Sequence, residues 1–115
     1  MTRALMSAAA ILGLTLCGVS PGAAAGAPAR KPATHAATIE GTSFQPATLT
    51  VHLGDTIVWT NKDPFPHTVT SKTGGFDSGA IQPGKSWKFK LTKKGDFEYI
   101  CSFHTTMKAM LRVKS

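Results

Sequence analysis

The sequence predicts an all-β domain, a sandwich or a barrel, from three observations. Apolar and polar residues alternate with period two over short runs from residue 37 onward, and Gly or Pro punctuates those runs. No helical period appears anywhere after residue 36. The chain is 115 residues long, room for one domain, and it carries no internal repeat.

Taken in order, the chain opens with a different kind of segment. Arg3 supplies a positive start, Ala4 to Val19 is apolar, Ser20-Pro21-Gly22 breaks the run, and Ala23-Ala24-Ala25 offers small residues for cleavage. This is the pattern of a secretory signal peptide over residues 1–25, with cleavage expected after Ala25. Ala27 is a second cleavage point, disfavoured by Pro28 after it. A membrane anchor would need about 20 apolar residues, more than this run provides. A lipid-modified Cys17 is disfavoured by the bulk of Leu16 before it. Residues 26–36 are rich in Pro and Ala without periodicity and read as a flexible tether, in which His35 has no assigned role. The folded domain is expected over residues 37–115.

Within that domain, Leu49, Val51 and Leu53 alternate with polar residues up to a turn at Gly54-Asp55. Ile57 and Trp59 alternate with Thr56, Val58 and Thr60, a strand buried on one face and partly covered on the other. Trp87, Phe89 and Leu91 alternate with lysines. Phe97, Tyr99 and Cys101 share one parity, and Leu111 and Val113 alternate with Met110 and Arg112. Gly74-Gly75, Pro83-Gly84 and Gly95-Asp96 mark turns between the runs. Phe44, Trp59, Trp87, Phe89, Phe97 and Tyr99 are the expected aromatic core. His52 has surface parity, and Phe65 and Phe103 fall in loops.

Charge and cysteine content narrow the function. The chain has 13 Lys and Arg against 6 Asp and Glu, a net charge of +7, and removal of residues 1–25 leaves +6. The lysines are scattered along strands, and an exported chain meets little nucleic acid, so we expect no nucleic-acid partner. The basic balance reads first as a solvated basic face, with attraction to acidic partner proteins as the functional alternative. Cleavage would also remove Cys17 and leave Cys101 as a single thiol in an oxidising compartment. Such a thiol is an oxidation liability unless a metal ligates it.

Cys101 heads the most informative run. With His104 and Met107 it forms a C-x-x-H-x-x-M spacing, and His67, from the loop Asn61-Lys-Asp-Pro-Phe-Pro-His67, can add a second imidazole. A thiolate, two imidazoles and a thioether suit a copper ion cycling between Cu(I) and Cu(II). Zinc is the chemical rival, but structural zinc takes four Cys or His ligands, and thioether is a poor donor to it. A Cys–His nucleophilic dyad is also conceivable, although it leaves Met107 and His67 unexplained. A multinuclear copper centre would need many more histidines than the 4 present.

Here the chain resembles the cupredoxins, the type 1 blue copper proteins, over nearly all of residues 37–115. The resemblance extends beyond the ligands to the run from Phe44 and Pro46 through Leu49, Val51, Gly54-Asp55, Ile57, Trp59 and Asn61. It continues in Pro83-Gly84, Phe89, Gly95, Phe97, Tyr99 and Cys101. It implies a Greek-key β-sandwich of about seven or eight strands, with one type 1 copper at one end held by His67, Cys101, His104 and Met107. The short gap between His104 and Met107 is most similar to the amicyanin branch of the amicyanin- and plastocyanin-like proteins. Two departures stand out. Thr68 replaces the usual Asn that ties the ligand loops, and a hydroxyl is not expected to copy an amide. Thr105-Thr106 replaces the Pro expected after the second His, which implies a looser loop.

The functional expectation is a periplasmic one-electron carrier and not an enzyme, since no open coordination position or general base is apparent. The alternative is copper delivery or storage with the same ligands. The expected partners are redox proteins with acidic docking surfaces, met through Phe65, Pro66, Phe103 and Met107 around His104, ringed by Lys62, Lys72 and Lys108. The carrier is expected to be monomeric, without stable membrane insertion.

Overall fold

A computed structural model describes residues 30–115. The signal peptide, its cleavage point and Cys17 lie outside the described residues. Nine strands run in chain order: β1 (Thr34–Ile39), β2 (Phe44–Gln45), β3 (Thr48–His52), β4 (Thr56–Asn61), β5 (Thr70–Ser71), β6 (Phe76–Asp77), β7 (Ser86–Lys90), β8 (Gly95–Cys101) and β9 (His104–Lys114). Three of them are two residues long, which is why the count exceeds the seven or eight expected. Among the described residues no helix is long and apolar enough to cross a membrane.

The strands form two sheets, one ordered β2-β1-β4-β7 and the other β3-β9-β8-β5-β6. Strands remote in sequence lie side by side: β1 pairs parallel with β4, and β3 parallel with β9. Such interleaving requires connections that cross from sheet to sheet, as in a Greek key. The inward side chains of both sheets share one core, with Ile39, Ile57 and Trp59 meeting Val51, Tyr99 and Leu111. At its centre Trp59 meets Tyr99 edge-on at 5.6 Å and donates its Nε1–H to the phenol oxygen at 3.3 Å. Burial pushes the Tyr99 hydroxyl above its ordinary pKa, partly offset by that hydrogen bond.

The period-two reading holds through the core strands. In β4, Ile57 and Trp59 are buried while Thr56, Val58 and Thr60 are half-buried. In β8, Phe97, Tyr99 and Cys101 face inward. Trp87 and Phe89 are only partly buried, because β7 lies at the edge of its sheet. Leu53 is 38% exposed, since β3 ends at His52 and the chain is already turning.

The tether expected over residues 26–36 ends sooner than its composition implied. From Thr34 the chain is a strand, in register with β4 from Thr34↔Thr56 to Ile39↔Asn61. His35, expected to have no role, places Nε2 2.8 Å from Oδ2 of the fully buried Asp55. The same carboxylate accepts the N–H of Ala33 and that of His52. A buried acid thus fastens a segment too poor in large apolar residues to be held by packing alone.

Candidate metal centre

β4 and β8 finish, and β9 begins, at one end of the sandwich, and this topology gathers the donors. Cys101 is the last residue of β8 and is fully buried. The β8–β9 pairing runs regularly from Gly95↔Val113 to Ile100↔Lys108, then slips so that Cys101 faces His104. Thr105, Thr106 and Met107 therefore have no partner on β8, and the strand bulges over the end of the core. His104 is partly exposed and Met107 is buried.

His67 lies outside the strands, since β5 comprises only Thr70–Ser71. Its backbone is instead pinned by an isolated bridge: His67 N–H donates to Ile81 O at 3.2 Å, and Ile81 N–H to His67 O at 2.7 Å. Asn61, fully buried, braces the loop between. Its Nδ2 donates to Phe65 O and to Ile81 O, both at 2.8 Å, and its Oδ1 accepts the Asp63 N–H at 2.9 Å.

His67, Cys101 and His104 offer one donor atom each, all within 4.8 Å of one another, the single such cluster of three found among the described residues. His67 Nδ1 lies 3.6 Å from Cys101 Sγ, and His104 Nδ1 lies 4.0 Å from it. Donors bound ~2.0–2.3 Å from a common first-row ion stand roughly this far apart at trigonal angles. One soft sulfur and two imidazole nitrogens at this spacing fit copper. The sulfur also accepts the Thr68 N–H at 3.3 Å.

Thr68 corrects one expectation. Its Oγ1 accepts the Ser102 N–H at 2.8 Å and lies 3.1 Å from Ser102 Oγ. The hydroxyl therefore links the loop of His67 to the turn after Cys101, the task expected to be weakened without an amide. Thr70 Oγ1 sits 2.9 Å from the same oxygen and extends the link into β5.

Asp63 is the residue that the sequence reading missed. Its Oδ2 lies 2.7 Å from His67 Nε2, and the carboxylate is 7% exposed. Burial alone would raise its pKa. Hydrogen bonds from the Thr42 N–H, His67 and the Gly41 N–H outweigh burial and hold it below the ordinary range. The available signal was a carboxylate four residues ahead of a candidate ligand in a Pro-rich loop. Above the cluster, Phe65 lies 5.2 Å from the His67 ring and 5.9 Å from the His104 ring, and is 40% exposed; Phe103 is 54% exposed.

Comparison with known proteins agrees with this arrangement. A chloroplastic plastocyanin from Tetradesmus obliquus is 32% identical over 72 residues, which cover 53% of this chain and 50% of that protein. The chain thus spans about half the length of that relative. An amicyanin-alpha from Methylorubrum extorquens is 26% identical over 76 residues, 62% of this chain and 64% of that one. Among solved structures, the Cu(I) form of an amicyanin variant matches with a TM-score of 0.65 at 21% identity, over 70% of this chain and 82% of that one, a likeness of fold. A copper-containing nitrite reductase from Thermus scotoductus matches with a TM-score of 0.68 at 29% identity, over 81% of this chain but 25% of its own. A family model for the cupredoxin-like domain matches residues 7–113, and the chain belongs to that family.

Proposed function

We propose that this protein is a one-electron carrier with a single type 1 copper held by His67 Nδ1, Cys101 Sγ and His104 Nδ1, and with Met107 as a weak axial donor. The observation that carries the reading is the cluster itself: three donors of mixed softness lie within 4.8 Å of one another, with a backbone N–H already on the sulfur. When bound, copper would supply the Cu(II)/Cu(I) couple. The residues do the rest. Cys101 provides the thiolate and the electronic path. The Thr68 N–H partly neutralises that sulfur, and the pinned backbone of His67 would keep its donor in place in either oxidation state. Met107, buried in the slipped segment of β9, suits the axial role.

His104 is the outlet for the electron, reaching the surface beside Phe65 and Phe103. An apolar contact of this small size favours the brief encounters of redox partners. Exposed Lys62, Lys72 and Lys108 suit acidic partners, whose approach they would speed. In this reading the chain is made with residues 1–25 as a cleaved signal and works as a periplasmic monomer.

Addition of Cu(II) to the protein lacking residues 1–25 tests the proposal. Strong blue or green colour with a type 1 paramagnetic resonance signal is expected, and Cys101→Ser should abolish the colour. A colourless protein that prefers zinc would sink the reading. Rapid loss of copper to a mild chelator would point to copper delivery instead of electron carriage. Mass spectrometry of the envelope fraction checks export, which an intact Met1 or a lipid on Cys17 would refute.

A further inference from the structure

We propose that Asp63 is a positioning residue for the metal centre, fixing the ring of His67 and lowering the centre's reduction potential through a fixed negative charge one imidazole away. The inference rests on the copper reading above.

The orientation part follows from hydrogen bonding. Asp63 Oδ2 and His67 Nε2 are 2.7 Å apart, and both side chains are shielded from solvent. A carboxylate accepts, so the neutral ring carries its proton on Nε2, which leaves the Nδ1 lone pair free on the side of Cys101 Sγ. Without that acceptor the ring could rotate or exchange tautomers, and either change removes a donor from the cluster. Partners of this kind raise the basicity of a ligating histidine as well as aim it.

The carboxylate is itself held from outside the ligand loop. Gly41 N–H donates to Oδ1 at 2.7 Å and Thr42 N–H to Oδ2 at 2.9 Å, from the turn that follows β1. Both residues have positive φ, 64° and 56°. For a β-branched threonine that conformation is unfavourable, so the turn is held in it by its surroundings. The two donors it aims at Asp63 supply such a hold. The turn thereby presents a preformed cradle for one negative charge and keeps it against His67.

The electrostatic part follows from Coulomb's law. Attraction between a fixed carboxylate and the ion scales with the ion's charge, so Asp63 stabilises Cu(II) more than Cu(I). Little water intervenes to screen it. A group whose role was only to fill space or tie the loop would leave the ratio of the two affinities unchanged.

The experiment compares the wild-type protein with Asp63→Asn and Asp63→Glu. The amide of Asp63→Asn can still accept from Nε2 but carries no charge. We expect it to lower the Cu(II)/Cu(I) affinity ratio at least tenfold, a rise in potential of about 59 mV for one electron. Asp63→Glu, which restores the charge, should bring the potential back toward the wild-type value. An unchanged potential in Asp63→Asn overturns the electrostatic role. Nitrogen-15 NMR of the imidazoles in the copper-free protein tests orientation independently. A His67 ring with its proton on Nε2 is expected, and a mixture of tautomers overturns the positioning role. If Asp63→Asn fails to fold, the glutamate variant decides: a wild-type-like potential supports the charge effect and a raised one refutes it. A wild-type protein without a type 1 spectrum would defeat the copper reading alone, since the NMR measurement still judges Asp63.

Discussion

His67 and His104 present the same atom, Nδ1, to the same sulfur from opposite surroundings. His67 is fully buried, bridged to Ile81 through its backbone and anchored at Nε2 by Asp63. His104 opens a bulged strand and is partly exposed. Among the described residues nothing hydrogen-bonds its Nε2. The two rings stand 5.3 Å apart, so the change from fixed to free takes place within one site. A carrier benefits from this division, because one side must keep the metal in place while the other meets partners. Under the proposed function those duties would fall to different histidines and different loops.

The sharpest test of that division removes each ring in turn. His67→Gly should cost about 3 kcal/mol in urea unfolding, because it strands the buried Asp63 charge and empties a packed position. Added imidazole should not restore its copper spectrum. His104→Gly should unfold near the wild-type midpoint and recover its spectrum with imidazole, since its place opens to solvent. Equal rescue of both variants would erase the distinction. Thr68→Val comes next. It preserves shape but leaves the Ser102 N–H without its acceptor, a cost of about 1–2 kcal/mol, while Thr68→Ser should be nearly silent. Amide exchange at Ser102 reports the loss directly.

Smaller effects probe the remaining donor and the rim. Met107→Leu conserves volume and should cost less than ~1.5 kcal/mol, yet it should shift the reduction potential. Met110→Leu should not, because Met110 pairs with Glu98 in the regular part of β9. The reverse result would transfer the axial role to Met110. Smallest of all, Lys62→Glu or Lys108→Glu should leave the copper spectrum intact and slow electron transfer to an acidic partner at low salt. Rates indifferent to both salt and charge would remove the lysines from the account.

The sandwich and two of the clustered donors, Cys101 and His104, were legible for reasons that the structure makes plain. Strands β4, β8 and the regular part of β9 are long enough to display a period of two, and Cys101, His104 and Met107 lie close in sequence. β2, β5 and β6 are too short to show any period. The start of β1 was hidden because Ala33, Ala36 and Ala37 carry little apolar bulk, and the acid that secures this segment lies about 20 residues away. The same limit hid Asp63, whose partners at Gly41 and Thr42 come from a distant turn. Thr68 was misjudged because residue type shows what a side chain can bond, whereas its partner, the Ser102 N–H, is supplied by the fold.

The slip between Ile100 and Cys101 has a consequence for how such a site can change over time. Below it, every β8–β9 pair from Gly95↔Val113 to Ile100↔Lys108 is already in place, and above it three residues bridge back to the Cys101↔His104 pair. Thr105 and Thr106, exposed in that segment, are thus the positions open to change. Residues can be gained, lost or swapped there without displacing one side chain of the sandwich from its face. The spacing of the residues that follow His104 can therefore diversify while the scaffold below is inherited intact.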